Sequence, residues 1–367
     1  MTLGPVRVGV VGAGSVSDEY LENLASFPDV DVIAIASKDG VTAQRQADRY
    51  GISRHGTFHQ LLEWEEIELV VVLTPPSSHA SLAEAALASG KHVYLEKPFA
   101  ASLPEAEELI RFATACGLMV GCAPDTIFGP ALSETRRAIA SGRIGEPVAV
   151  DMRMEDPGPD AWHPDPAFLF ARGAGPLFDI APYYLTAAAT LIAPFQSIIG
   201  IGSKAASSRT VAQGPRAGAR FSVEVPTQVE TVGRLVGGTT FRMLLSFDSP
   251  ISSRSFQVTG TEGVVTLPSP TDFDGVVRHF SRSNNEWSTI STPPAVGTRG
   301  LGVLDMARSL RRGLVPAAST ELAVHVLDVM LAAEQSMASG CMARVTSTFP
   351  LMPDRDVHAT ARQRTIE

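Results

Sequence analysis

Cysteine is scarce. The 367 residues hold three, Cys116, Cys122 and Cys341. So small and odd a number excludes a disulfide framework and points to reduced thiols in a cytoplasmic protein. Long apolar runs are also missing, since nothing approaches the roughly 18 residues of a membrane span. The first residues have neither the basic region nor the apolar core of a secretory signal, so export is not expected. Positive charge is in deficit, with 30 Lys and Arg against 39 Asp and Glu and a net charge of −9. No Lys/Arg block offsets it, which argues against nucleic acid or an anionic membrane as partner. The histidines and cysteines lack metal-ligand spacing. There is no internal repeat. What remains is an ordinary globular chain, 44% hydrophobic and 19% charged, long enough for two domains.

The most informative segment is an apolar run over 6–11 that passes directly into Gly12-Ala13-Gly14-Ser15-Val16-Ser17. It reads as a strand, a glycine turn and a helix start. Gly12 permits the sharp turn, and Gly14 has no side chain to hold a pyrophosphate away. The backbone N–H groups at Ser15 and Val16, with the positive end of the helix dipole, would face the phosphates. The usual third glycine is replaced by Ser17.

The first third alternates strand-like and helix-like segments. Strands are predicted over 6–11, 30–36, 69–73, 92–95 and 118–122, and helices over 17–26, 41–50, 78–89 and 103–116. Continuous Val/Ile/Leu strands between helices predict a doubly wound parallel sheet with both faces covered. After Ala123 the pattern changes to a helix over 130–141, a strand over 148–154 and a Pro/Gly-rich stretch over 156–176. That stretch is expected to shape a pocket wall. A helix over 180–191 precedes seven β-type runs between 197 and 281, which predict a mostly antiparallel sheet. Residues 204–220 read as a mobile excursion. Helices over 301–313 and 320–339 are expected to close the second domain. The division expected is 1–124 for the dinucleotide-binding domain, 125–352 for a substrate and oligomerisation domain of α/β class with a large open sheet, and 353–367 for a polar tail.

Two further segments can carry chemistry. Tyr94-Leu95-Glu96-Lys97-Pro98 lies at the carboxyl end of a predicted parallel strand, where open α/β sheets bind ligands. Pro98 keeps Lys97 extended. A lysine held there can bond a substrate hydroxyl and help move its proton; the alternative is a solvated ion pair with Glu96. The second segment is Gly173-Ala174-Gly175-Pro176-Leu177-Phe178-Asp179-Ile180-Ala181-Pro182-Tyr183. On one helix, Asp179 and Tyr183 share a face. Asp179 then accepts a substrate hydroxyl or caps the helix. Tyr183 passes a proton or serves as a core aromatic.

Together these motifs resemble the Gfo/Idh/MocA family, the glucose–fructose oxidoreductase and inositol dehydrogenase group. The residues that carry the resemblance are Gly12-Ala13-Gly14, Thr74-Pro75-Pro76-Ser77-Ser78-His79, Glu96-Lys97-Pro98 and the segment from Gly173 to Tyr183. The resemblance spans nearly the whole chain. It implies a Rossmann domain followed by an α/β domain whose open sheet forms a homodimer or homotetramer. It assigns Lys97, Asp179 and Tyr183 to catalysis, with Thr74, Pro75, His79, Glu96 and Lys97 beside the cofactor and a cis Lys97–Pro98 peptide. The chain departs from the family in three places. Tyr183 stands where many members have histidine, and a phenol is a weaker acid than an imidazolium. Trp162-His163 stands in place of a Trp-Arg pair; His163 touches substrate or makes a structural hydrogen bond. Asp125 replaces a common asparagine, to bind sugar hydroxyls or to start a turn.

At the end of the second strand, Ala36-Ser37-Lys38-Asp39 lacks the acid that normally grips the adenosine ribose. Ser37 and Lys38 can donate to a 2′-phosphate, so NADP is expected ahead of NAD. The reading is a cytoplasmic NAD(P)-dependent oxidoreductase that moves a hydride to or from a ring carbon of a sugar, glycoside or inositol. Trp162 and Tyr184 are expected to stack on the sugar, and Asp125 and His163 to bind its hydroxyls. Two alternatives remain: a glycosidase that works by transient oxidation and elimination, and a non-catalytic cofactor-binding sensor.

Overall fold

A computed structural model describes residues 4–267 and 269–351. Its chain contacts divide into two units. One contains the chain up to Phe128 together with Ala295–Val324; the other contains Gly129–Pro294 and His325–Leu351. The tail expected from residue 353 lies outside the described residues. No helix among the described residues is long and apolar enough to cross a membrane.

The first unit is built from β1 (Val6–Val11), α1 (Ser15–Leu24), β2 (Val30–Ala36), α2 (Gly40–Tyr50), β3 (Arg54–Gly56), α3 (Phe58–Glu63), β4 (Leu69–Val72), α4 (His79–Ala88), β5 (His92–Leu95), α5 (Leu103–Cys116) and β6 (Val120–Cys122). The six strands are all parallel, in the order β3-β2-β1-β4-β5-β6. Every residue of β4 is fully buried, as expected for a strand covered on both faces. β3 and α3 were not anticipated. β3 has three residues, none apolar enough to announce a strand, and α3 is marked only by the Thr57/Gln60 capping box. Cys116 is exposed at the end of α5.

The second unit contains α6 (Pro130–Ala140), β7 (Pro147–Glu155), α7 (Gly175–Asp179), α8 (Ala181–Leu191), β8 (Phe195–Ser203), β9 (Ser208–Thr210), β10 (Arg220–Ser222), β11 (Gln228–Leu235), β12 (Thr240–Ser246), β13 (Ser253–Gly260), β14 (Gly263–Leu267), β15 (Val277–Ser281) and β16 (Glu286–Ile290). Later in the chain come α9 (Leu301–Arg312), which falls in the first unit, α10 (Thr320–Ser339), which spans the division at residue 324, and β17 (Ala343–Arg344) in the second. A nine-stranded sheet runs β16-β15-β14-β13-β7-β12-β11-β8-β17, antiparallel except for the β7–β12 pair. Its sequence alternation has a direct outcome. Val150, Met152 and Met154 on β7 are buried, whereas Arg153 between them is exposed. The segment near Phe221 joins a separate β9–β10 pair, not the main sheet.

The expected domain boundary needs correction. Residues 295–324, including α9, belong to the first unit. The return buries Leu301, Val303, Leu304, Met306 and Ala307 of α9, and ion pairs accompany it: Arg308 meets Asp29 at 3.0 Å, and Arg311 meets Glu68 at 2.7 Å. Nothing local in α9 foretells ion-pair partners 279 and 243 positions back.

Candidate coenzyme and substrate sites

In the first unit, β1 and β4 are neighbours although five elements separate them in sequence. Such a reversal of strand order opens a crevice beyond the carboxyl ends of the strands. Gly12 sits there with φ of +105°, and a Cβ on it would lie 2.6 Å from the Leu73 carbonyl oxygen. Glycine is therefore required twice over, by backbone conformation and by space. Gly14 is different. A Cβ on it would meet no atom within 4 Å, and no side chain caps α1. Gly14, Ser15 and Val16 are all exposed. An open rim at an uncapped helix N-terminus fits a pyrophosphate. Ser17 replaces the third glycine at no cost in polar satisfaction: it is buried, and its hydroxyl donates to the Gly14 carbonyl at 2.6 Å.

Around this rim, polar side chains secure the loops. His79 is fully buried, with one ring nitrogen 2.8 Å from the Pro98 carbonyl and the other 2.8 Å from the Thr74 carbonyl. The Ser78 hydroxyl donates to Thr74 Oγ1 at 2.8 Å, while Pro75 is exposed. The Lys97–Pro98 peptide is cis, and so is Ala123–Pro124. Glu96 accepts from the Tyr20 hydroxyl at 2.9 Å, from the Lys97 backbone N–H at 3.0 Å and from Arg299 at 3.3 Å. Arg299 also reaches Glu19 at 2.6 Å. Asp125 is buried and accepts from the Tyr94 hydroxyl and the Gly300 backbone N–H. Burial, reinforced by the nearby Glu96 charge and opposed by those two hydrogen bonds, lifts its pKa to about 6.

In the second unit, the expected single helix around Asp179 is interrupted. α7 ends at Asp179, and Ile180 at φ −104° separates it from α8. Asp179 is therefore not a helix cap; Ile180 holds that position, and Pro182 falls in the first turn of α8, where its missing N–H costs little. Asp179 is half-buried and Tyr183 is buried. Trp162 is 60% exposed and meets His163 edge-on, with ring centroids 5.5 Å apart. His163 accepts from the Asp165 backbone N–H at 3.0 Å and stands edge-on to Phe168.

Comparison with known proteins decides the family. The model described as oxidoreductase family, NAD-binding Rossmann fold, matches residues 6–123, and the GFO/IDH/MocA C-terminal domain model matches residues 132–266. The chain belongs to the Gfo/Idh/MocA oxidoreductase family. Among curated relatives it is 26% identical to trans-1,2-dihydrobenzene-1,2-diol dehydrogenase of Bos taurus, over 88% of this chain and 95% of that protein. It is 30% identical to dTDP-3,4-didehydro-2,6-dideoxy-alpha-D-glucose 3-reductase of Streptomyces antibioticus, over 52% of this chain and 57% of that one. A solved levoglucosan dehydrogenase, in complex with NADH and L-sorbose, superposes with a TM-score of 0.82 at 21% identity, covering 94% of this chain and all of that one. That likeness is one of fold.

Within the Gfo/Idh/MocA frame, four of the anticipated residues have other tasks. Glu96 and His79, expected against the cofactor, commit their polar atoms to the loops around it. Asp125, expected to bind substrate, has each oxygen taken by a partner inside the first unit. Tyr184, expected to stack on a sugar, is fully buried; its hydroxyl donates to the Arg153 carbonyl at 2.8 Å and its ring lies beside Phe256. The reason is the same throughout: residue type was legible, depth was not. Tyr20 and Arg299 were missed altogether. Arg299 lies 203 positions from Glu96, beyond any local signal.

Proposed function

We propose that this oxidoreductase moves a hydride to or from a carbinol or ketone carbon of a cyclic sugar, glycoside or inositol. The observation that carries the reading is the near full-length match to a dehydrogenase named for a cyclic vicinal diol. The partial match to a reductase named for a ketosugar adds to it. Both names describe redox at an oxygen-bearing ring carbon. When bound, the nicotinamide supplies or receives the hydride.

The rest falls to the chain. Lys97 places an ammonium against the substrate oxygen and stabilises the negative charge that develops there. Tyr183 carries the hydroxyl proton, and Asp179 accepts a substrate hydroxyl and fixes its orientation. Trp162 offers an exposed ring for a sugar face, and His163 a hydroxyl contact. Gly12, Gly14, Ser15, Val16, Thr74 and Pro75 form the coenzyme rim.

NADP is the preferred coenzyme in this reading. Asp39, the acid nearest the end of β2, accepts from the Val41 backbone N–H and the Thr42 hydroxyl as the cap of α2. Its carboxylate is thus engaged away from a ribose, and Ser37 and Lys38 are left to meet a 2′-phosphate. The uncovered face of the nine-stranded sheet presents Ile201 at 76% and Val232 at 51% exposure. A second copy covering that face gives a homodimer or homotetramer. The exposed thiols of Cys116 and Cys341 suit the cytoplasm.

Lys97→Ala tests the mechanism. It is expected to lower kcat by about 10³ or more with coenzyme affinity within a few-fold; unchanged turnover removes Lys97 from the reaction. The assay pairs D-glucose, myo-inositol and trans-cyclohexane-1,2-diol with NADP and NAD and follows nicotinamide absorbance. Release of a sugar from a glycoside without net reduction would replace this reading with the eliminating glycosidase. NADP should raise the melting temperature more than NAD at equal concentration.

A further inference from the structure

The stretch expected to be a mobile excursion, residues 204–220, is instead bound along the loop that bears Trp162 and His163. Its first strand, β9, delivers Arg209, whose side chain is 14% exposed. The guanidinium donates to the Pro157 carbonyl at 2.8 Å, to Asp160 Oδ1 at 2.6 Å and to the Phe247 carbonyl at 2.6 Å, and it also bonds Asp248. It stacks 5.2 Å above the centre of the Phe170 ring. Asp160 and Asp248 are 16% and 14% exposed. Two carboxylates so withdrawn from water need a cation between them.

Successive residues of the same excursion continue along the loop. The Ala212 backbone N–H donates to the Asp160 carbonyl at 3.0 Å. The Gln213 amide donates to the Trp162 carbonyl at 2.7 Å, and Arg216 pairs with Asp165 at 2.5 Å. Close approach accompanies the bonds. A Cβ on Gly158 would lie 2.8 Å from the Arg209 guanidinium, and one on Gly214 would lie 2.8 Å from Pro164. Partners therefore recur at 157, 158, 160, 162, 164 and 165. Flanking the exposed indole of Trp162, they leave the loop little freedom.

We propose that residues 209–216 act as a clamp that holds loop 157–165 in its binding shape, with Arg209 the positioning residue that sets affinity for a cyclic polyol substrate. The inference rests on the reading that Trp162 and His163 meet substrate. Lysine cannot replace Arg209, because a single ammonium cannot hold two carboxylates and two carbonyls from one plane. The partners of the clamp named above, Pro157, Asp160, Trp162, Asp165, Phe247 and Asp248, are not the residues assigned to proton transfer. Loosening it should therefore change KM and leave kcat nearly intact.

The test uses Arg209→Lys and Gln213→Ala, with Arg216→Ala as a milder surface lesion. Each is also made in a Trp64→Phe, Trp287→Phe background, where Trp162 is the remaining tryptophan. Iodide quenching of Trp162 reads the loop without reference to substrate. KM and kcat are measured on whichever of D-glucose, myo-inositol and trans-cyclohexane-1,2-diol is turned over fastest, and NADPH affinity by its fluorescence. Support is a clear change in quenching together with a KM raised about tenfold in Arg209→Lys, with kcat and NADPH affinity within about threefold. Unaltered quenching and KM overturn the clamp. Trp162→Ala separates the two ways of failing. If it raises KM while the Arg209 and Gln213 variants do not, the clamp is wrong and the substrate reading stands. If quenching changes but no variant, Trp162→Ala included, moves KM, the substrate reading fails and the claim on affinity fails with it.

Discussion

The two units build their sites by different means. In the first, the candidate coenzyme rim is backbone: a glycine at positive φ, an uncapped helix end and strand ends at a reversal of order. In the second, the candidate substrate loop has little regular structure of its own and is shaped by side chains from a distant hairpin, Arg209 foremost. Backbone sites depend on a few residues at fixed spacing. Side-chain sites depend on contacts between segments about 50 positions apart, such as Arg209 with Asp160. The first kind can be read from a line of sequence; the second cannot.

The sharpest way to break the comparison is to add one methyl group to either glycine of the rim. Gly12→Ala forces a side chain into positive φ and against the Leu73 carbonyl. It should destabilise the first unit by about 3 kcal/mol or more, the upper range for a single substitution. Gly14→Ala has open space and an ordinary φ of −83°. Its urea midpoint should match the parent, while NADPH affinity falls by about tenfold or more, roughly 1.4 kcal/mol. Equal stability loss in both variants would show that the rim is framework and not a binding surface.

That contrast also marks how far the sequence could be read. The strands over 6–11, 30–36 and 92–95 fall where their apolar runs place them, because the residues toward their carboxyl ends, Val10-Val11, Ile35-Ala36 and Tyr94-Leu95, are all buried. Lys97–Pro98 and the glycine turn were legible for the same reason: each needs particular residues in consecutive positions. The return of residues 295–324 to the first unit was not, since α9 is held by Arg308 and Arg311 through partners at Asp29 and Glu68. Asp125 and Tyr184 show a further limit. Each has the right chemistry for a sugar, yet each is inside the protein, bonded to Gly300 and Arg153 respectively. Depth comes from packing, and a polar side chain does not announce it.

Each unit also hides an ionisable group, and the two should pull stability in opposite directions with pH. Asp125, buried in the first unit, has its pKa raised from 3.8 to about 6. The folded state then holds the proton more tightly than the unfolded state. Its contribution is present at low pH and is lost as pH rises from about 4 through about 6. His325, buried in the second unit, accepts from the Phe195 backbone N–H at 2.8 Å. Burial lowers its pKa from 6.5 to about 4. Folding here favours the neutral ring, so the contribution is present above 6.5 and lost as pH falls toward 4. At 1.36 kcal/mol per pKa unit, each effect is at most about 3 kcal/mol. Urea unfolding followed at Trp64 reports the first unit, and at Trp287 the second. The two signals should slope oppositely between pH 4 and 6.5. Asp125→Asn should flatten the first and His325→Asn the second. Parallel slopes in the parent protein would refute the assignment.

The smallest stability change is expected at adjacent tyrosines of α8. Tyr184→Phe removes only the hydroxyl that bonds the Arg153 carbonyl. It should cost about 1 kcal/mol of stability, the net worth of one such bond, and leave turnover alone. Tyr183→Phe should lower kcat by about a hundredfold, as for a lost general acid or base, with the coenzyme affinity of the parent. The pair is informative because both rings are buried, and neither burial nor composition tells them apart. A rate loss at Tyr184 equal to that at Tyr183 would mean that the helix end, and not the phenol of Tyr183, governs the reaction. The two hydroxyls sit on consecutive residues, so the measured ratio of rates separates the proposed proton carrier, Tyr183, from the hydroxyl that bonds the Arg153 carbonyl.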